Sequence, residues 1–110
     1  MVERWLNWSY YEVPEHTQKA FEEYILLGYP PGSFMAGVLR NDFVAAVCHA
    51  DFENKKHLVD IAKWMLNNAP RACWGSEQAI RDWLKDKDNV RTSYFEFVEK
   101  RRMWQALQEH

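Results

Sequence analysis

The chain has 110 residues and a mass of 13.2 kDa, with 14 Lys and Arg against 16 Asp and Glu. This length fits one hydrophobic core and leaves no room for two domains. The net charge of −2 argues against a protein held on nucleic acid or anionic lipid mainly by counterion release, and two cysteines are too few for a disulfide scaffold. Since no apolar run is long enough for a membrane span, we expect one soluble, intracellular domain over residues 1–110.

The N-terminal segment, residues 1–13, is rich in aromatic side chains that do not follow helical spacing. Trp5, Trp8, Tyr10 and Tyr11 lie there around the polar residues Asn7 and Ser9, a mixture typical of an extended arm or a short strand. Trp and Tyr are favoured in cores and in interfaces alike, so two interpretations stay open. The arm either folds back on its own domain or pairs with another subunit.

The rest of the chain predicts an all-α fold, a compact bundle of five to six short helices that carries the aromatic N-terminal arm. We expect a helical core over 14–86 and a C-terminal helix over 92–108. The first helix is predicted over 14–27, because apolar residues recur every three to four positions and Gly28 can end it. After the Pro-rich break, Ser33 is predicted to cap a short second helix.

Two aspartates divide the middle of the chain. Asp42 is predicted to cap a third helix, whose small apolar residues favour tight packing in the centre, with Cys48 in the core. Asp51 is predicted to cap the fourth helix, which has the clearest apolar stripe, from Leu58 to Ala69.

Serines mark the last two helices. Ser76 is predicted to cap a fifth helix that fades into alternating charges. Ser93 followed by Glu96 is a capping box, which predicts the start of the last helix. Phe97, Val98, Trp104 and Leu107 then fall near one side of it.

Two of these helix starts carry a Gly-Ser pair, and free N–H groups at the positive end of a helix attract anions. One hypothesis is therefore a nucleotide site, with phosphates on the two turns and a base against an aromatic ring. Its residues are Tyr29, Gly32, Ser33, Phe34, Arg71, Trp74, Gly75 and Ser76. The ordinary interpretation, in which Gly makes the turn and Ser the cap, stays open and is favoured by Glu77 at the same helix end.

The residues that bind metals or act as nucleophiles show no such pattern. Cys48, His49, Asp51, His57 and Cys73 have neither the Cys nor the His spacing of a zinc site. No nucleophile motif accompanies them. We therefore expect no metal, no cofactor and no enzymatic activity.

Three motifs between Gly28 and Trp83 suggest a relationship. They are Pro-Gly-Ser-Phe at 31–34, Val-Leu-Arg-Asn-Asp at 38–42 and Cys-Trp-Gly-Ser at 73–76. In these motifs, about half of the chain resembles a family of small accessory proteins of tailed phages and prophages. The resemblance implies a protein that acts in the cytoplasm of the bacterial host, and it brings no catalytic residues. Such proteins are often similar in role to anti-CRISPR and other counter-defence factors.

The first functional hypothesis is thus a phage inhibitor that binds a host defence protein or complex directly. Its predicted contact residues are Trp5, Trp8, Tyr10, Tyr11, Arg101 and Trp104, because Trp, Tyr and Arg dominate binding energy at interfaces. The alternative is a sponge that sequesters a nucleotide second messenger at the Gly-Ser helix starts. A third hypothesis is a homo-oligomer, in which the aromatic residues serve self-association.

Overall fold

The computed structural model describes residues 3–109, and these form seven α-helices and no strand. The helices are α1 (Glu15–Leu27), α2 (Ser33–Leu39), α3 (Phe43–His49), α4 (Phe52–Lys56), α5 (Leu58–Asn68), α6 (Glu77–Leu84) and α7 (Val90–Gln108), with 3-10 turns at Arg71–Cys73 and Lys87–Asn89. The all-α prediction is confirmed. Residues 1 and 2 of the predicted arm, and residue 110 at the end of the predicted domain, lie outside the described residues. No helix in the described part of the chain is both long and apolar enough to span a bilayer.

Local capping chemistry sets three of the seven helix starts as predicted. The Asp42 carboxylate accepts a hydrogen bond from Ala45 N at 3.0 Å, and that of Asp51 accepts one from Asn54 N at 2.8 Å. The Ser76 hydroxyl accepts one from the third residue of its helix at 3.1 Å. These three side chains each satisfy an N–H group that the helix leaves unpaired.

Three predicted boundaries are wrong. Ser33 is already inside α2, and its side chain makes no cap. The predicted fourth helix is two helices, α4 and α5, because the backbone bends at His57 (φ −122°). The last helix begins at Val90 rather than Ser93. Asn89 turns the chain with a φ of 59°, and Asp86 takes the capping role by accepting a hydrogen bond from Thr92 N at 2.9 Å.

The N-terminal arm folds back on its own domain. It has no regular secondary structure, yet Leu6, Trp8 and Val13 are buried in the core with residues of α1 and α5. The Trp8 ring stacks on that of Trp64, with centroids 3.7 Å apart and planes 13° apart. Trp64 Nε1 donates to the Asn7 carbonyl at 2.8 Å. Of the two interpretations of the arm, the structure supports the one in which it folds back on its own domain.

A single buried carboxylate anchors the arm to α1. Glu22 Oε2 accepts hydrogen bonds from Trp5 N at 3.0 Å, Leu6 N at 2.9 Å and Trp8 Nε1 at 2.9 Å. The guanidinium of Arg4 lies 3.6 Å from the other oxygen. Burying a carboxylate is costly unless it is paired and hydrogen-bonded, and here the arm supplies those partners.

The third helix was expected in the centre of the bundle, and this prediction is wrong. Only Ala46 of α3 is buried, while Cys48, expected in the core, is exposed. The small residues do allow a close approach, but to α2 alone: a Cβ at Gly37 would lie 2.8 Å from Ala46 N. Because α3 has only seven residues, it buries little of its surface, and its other apolar side chains lie outside the core.

Candidate protein-binding surface

The predicted contact residues in the arm are mostly occupied within the chain. Trp8 is only 8% exposed, so the prediction that it contacts a partner is wrong. Its ring belongs to the core, because the arm covers Phe21 and Trp64. Trp5 is half-buried between the ring of Phe95, with centroids 5.8 Å apart, and the guanidinium of Arg102, 3.9 Å from the ring centroid.

The tip of the arm is its most accessible part. Tyr10 is 97% exposed, with a left-handed φ of 76°, beside a turn closed by Tyr11 N donating to Trp8 O at 3.3 Å. Tyr11 is half-buried, and its hydroxyl accepts a hydrogen bond from Asn67 Nδ2 at 3.0 Å. Tyr10 is therefore the arm residue best placed to meet another molecule.

The C-terminal helix presents a row of side chains that its own domain does not cover. Phe97, Arg101 and Trp104 follow one another at i, i+4 and i+7, which places them on one face of α7. Phe97 is 58% exposed and Trp104 is 61% exposed, while the Arg101 guanidinium lies 5.6 Å from the Phe97 ring centroid. We call these three residues the α7 stripe; it brings together two of the predicted contact residues and adds Phe97.

The orientation of the α7 stripe follows from the residues of α7 that pack against the rest of the domain. Val98 is fully buried in the core, and Arg102 holds the arm through an ion pair with Glu3 and its contact with Trp5. Val98 and Arg102 are four residues apart and so share one face of α7, and the centre of the α7 stripe lies about 110° round the helix from that face, where its residues are exposed. The predicted grouping of Val98 with Trp104 on one side is therefore wrong.

A second apolar surface was missed by the sequence analysis. The helices α2, α3 and α5 enclose a groove of about 390 Å³, which we call the α3–α5 groove. Phe43, 74% exposed, lines it from α3, and Val59, 66% exposed, lines it from α5. Ala46, Ile61 and Met65 are buried side chains of its lining. The sequence feature that could have indicated this groove is Val59, an apolar residue that lies off the core stripe of its own helix.

The two Gly-Ser helix starts lie at opposite ends of α2. Gly75 N donates to the carbonyl of Leu39 at 2.6 Å, which places the second turn at the C-terminal end of α2. Gly32 and Ser33, both exposed, are at the other end of that helix, about 10 Å away for seven residues. The predicted phosphate-binding turns are thus separated by the length of α2.

The side chains around the second turn are engaged with one another. The Arg71 guanidinium lies 4.2 Å from the Trp74 ring centroid, and its Nη1 donates to the Trp74 carbonyl at 2.8 Å. Glu77 already supplies a carboxylate to the first turn of α6, 4.0 Å from Arg40. Of the remaining predicted ligand residues, Tyr29 is exposed, Phe34 is half-buried and packed against the core, and Ser76 is used as a cap.

Two buried titratable groups, the Cys73 thiol and the Tyr24 phenol, are held in their neutral forms. Burial raises the pKa of the Cys73 thiol to about 12. Burial also raises the pKa of Tyr24 well above its usual range, and the phenol donates a hydrogen bond to the Cys73 carbonyl at 2.8 Å. Within residues 3–109, no three His, Cys, Asp or Glu side chains are grouped to hold a metal ion.

Comparison of the chain with known protein families, with curated proteins and with solved structures finds no match.

Proposed function

We propose that the chain is a phage-encoded, non-enzymatic counter-defence protein, which inhibits a host immune complex in the bacterial cytoplasm by direct protein binding. The observation that supports the proposal is the α7 stripe, in which Trp104 and Phe97 stand exposed on either side of Arg101. The phage and host context comes from the resemblance of residues 28–83 to phage accessory proteins.

The chemistry of the α7 stripe suits an inhibitor that works by occupying a surface. Trp and Arg are the residue types that most often dominate the free energy of protein association, when a partner desolvates them fully. The stripe lies on a helix that Val98 and Arg102 hold in place, so little conformational entropy is lost on binding. A rigid aromatic pair of this kind fits an apolar pocket on a partner protein.

Direct binding is favoured over the nucleotide sponge by the position of the two Gly-Ser turns. The sponge hypothesis places the phosphates of one ligand on both turns, whose groups are here partly engaged within the chain. Here Gly75 N is bonded to Leu39 O, and the other turn lies at the far end of α2. The third hypothesis, self-association, is considered with the α3–α5 groove below.

The test is phage infection of bacterial strains that each carry one active immune system, CRISPR–Cas systems included. We expect the full chain to restore plaque formation in at least one strain, and to co-elute with the purified immune complex of that strain. Replacing Trp104 and Phe97 together by Ala removes two anchors of about 2 kcal/mol each, which weakens binding by about three orders of magnitude and abolishes protection.

The matched control is Tyr29→Ala. Tyr29 is an exposed aromatic residue outside α7, so direct binding through the stripe leaves protection by this variant intact. The sponge hypothesis instead includes Tyr29 among its ligand-binding residues, and it predicts heat when cyclic di- and trinucleotides or cyclic ADP-ribose isomers are titrated into the protein. Protection by the full chain that survives the double α7 variant but not Tyr29→Ala overturns our proposal, and so does a lack of protection in every strain.

A further inference from the structure

The α3–α5 groove has the shape that a helix from another protein can occupy. Residues of two helices line it: Phe43 of α3 and Val59 of α5 are exposed, and Ile61 and Met65 of α5 are buried. Gly37 and Ala46, where α2 and α3 approach closely, also belong to its lining. Amphipathic helices bind such grooves by inserting apolar side chains spaced at i, i+3, i+4 and i+7.

One lining residue of the groove indicates the charge that a bound helix would carry. Lys63 is the charged residue among those that line the groove, and it is exposed. No Asp or Glu oxygen within residues 3–109 lies within 4.0 Å of its ammonium group. An apolar groove with an unpaired lysine in its wall is complementary to an apolar helix that carries a carboxylate beside its buried face.

A second copy of this chain matches the groove poorly. If the exposed apolar face of α7 entered the groove, it would bring in Arg101, which lies between Phe97 and Trp104. If two grooves packed on each other about a two-fold axis, the Lys63 residues of both copies would lie in one interface. Arg101 and Lys63 have the same charge, and like charges brought together at an interface oppose association. The charge pattern therefore points to a different protein.

We propose that the α3–α5 groove binds an amphipathic helix of the inhibited target, with apolar residues in the groove and an acidic residue against Lys63. This inference rests on the proposed function, because it assigns a second contact of the same inhibitor. The α7 stripe and the groove then engage two parts of one target.

The test uses the full chain and two fluorescein-labelled synthetic helical peptides. Both peptides have the same Leu and Phe residues on the apolar face, and one has Glu and the other Lys beside that face. By fluorescence anisotropy at low ionic strength, we expect the Glu peptide to bind about threefold tighter or more, and Lys63→Glu to reverse the order. Lys85→Glu, the same charge change at an exposed residue outside the groove, should leave the order unchanged.

A second variant blocks the groove without altering its charge. Ala62 is an exposed lining residue, so Ala62→Gln adds a polar side chain across the groove while the helical circular dichroism stays unchanged. We expect about tenfold weaker binding of the Glu peptide, and no effect of Ala106→Gln, the same substitution on exposed α7. Equal binding of both peptides to all variants overturns the proposal. A dimer seen by sedimentation that Ala62→Gln dissociates also overturns it, since a second copy then covers the groove.

The infection assay separates this inference from the proposed function. If the full chain protects phage and Ala62→Gln protects equally well, the target does not use the groove, and the inference is overturned while the proposed function stands. If the full chain gives no protection but the peptides discriminate as expected, the proposed function fails and the helix-binding groove remains.

Discussion

The two cysteines show how strongly position decides the chemistry of one residue type. Cys73 is fully buried and its pKa is about 12, whereas Cys48 is exposed on α3. At about pH 8, a thiol of that pKa is ionised in about one molecule in ten thousand, and only the thiolate reacts. We expect Ellman's reagent to modify one thiol rapidly in the native protein. Cys48→Ser should abolish this phase, and Cys73 should react after unfolding in urea; two equally fast thiols in the native protein would contradict the structure.

Asp51 leads to a prediction about the stability of the fold at acidic pH. Its pKa is lowered first by the hydrogen bond from Asn54 N–H and also by His16, whose Nε2 lies 2.8 Å from the carboxylate. Because the folded state favours the ionised form, Asp51 contributes stability above its unfolded pKa of about 3.9, and this contribution is lost as the pH falls through the lower folded value.

Asparagine also caps helices, so Asp51→Asn changes the charge while it keeps the capping oxygen. Urea unfolding should show the wild type to be more stable than the variant near neutral pH, with the difference shrinking between about pH 5 and about pH 2. A difference that stays constant over this range would mean that ionisation of Asp51 plays no part.

At the scale of elements, the attachment of the arm to α1 depends on one side chain. Glu22→Ala leaves the N–H groups of Trp5, Leu6 and Trp8 without their acceptor, in a region that water reaches poorly. We expect the free energy of unfolding in urea to fall by about 3 kcal/mol or more, because unsatisfied buried donors cost about 1–3 kcal/mol each.

Two other variants make this measurement specific. Glu22→Gln retains a carbonyl oxygen as acceptor and should lose less stability than the Ala variant. Glu23→Ala removes the neighbouring carboxylate, which makes no side-chain hydrogen bond or ion pair within residues 3–109, and should have a small effect. Equal losses for all three variants would show that Glu22 does not anchor the arm.

The elements also show which features the sequence could predict. Helix starts capped by Asp42, Asp51 and Ser76 were predictable, because each cap involves a side chain and an N–H group three residues apart. The start of α7 was not, since it depends on left-handed Asn89 and on a carboxylate six residues before its partner. Local patterns carry the first kind of information and not the second.

The candidate surfaces were harder to predict for a related reason. Trp8 and Trp104 are the same residue type and have the same intrinsic preference for burial. Only the tertiary fold buries one and exposes the other. Phe43 likewise has helical spacing with Ala46, yet α3 is too short and too peripheral for the bundle to cover it. Which apolar residues remain exposed is decided by neighbours that are distant in sequence.

At the scale of the whole molecule, the aromatic surplus is mostly used by the core. Of the six Trp residues, Trp8, Trp64, Trp74 and Trp83 are buried, Trp5 is half-buried and Trp104 alone is largely exposed. The sequence suggested several ring side chains aimed at a partner. The structure leaves one tryptophan largely exposed on α7 and an apolar groove elsewhere, so fewer aromatic residues are accessible to another molecule than composition implied.

The same arrangement makes the arm a structural part of the domain and not a removable appendage. Removing residues 1–12 takes Leu6 and Trp8 out of the core, uncovers Phe21 and Trp64, and strands the Glu22 carboxylate. Each large apolar side chain withdrawn from a core costs about 1.5–3 kcal/mol, and a small domain has only about 5–15 kcal/mol of stability in total.

We therefore expect the shortened chain to lose its cooperative thermal transition and its near-ultraviolet circular dichroism, which report the packing of the buried rings. The control deletion removes seven residues at the other end of the chain, from Trp104 onward. Residues 104–109 are exposed, and Arg102 with its contacts to the arm is retained, so this deletion should keep a cooperative transition close to that of the full chain. If the chain without residues 1–12 unfolds as cooperatively as the full chain, then the stack of Trp8 on Trp64 is not a part of the core that the rest of the fold requires.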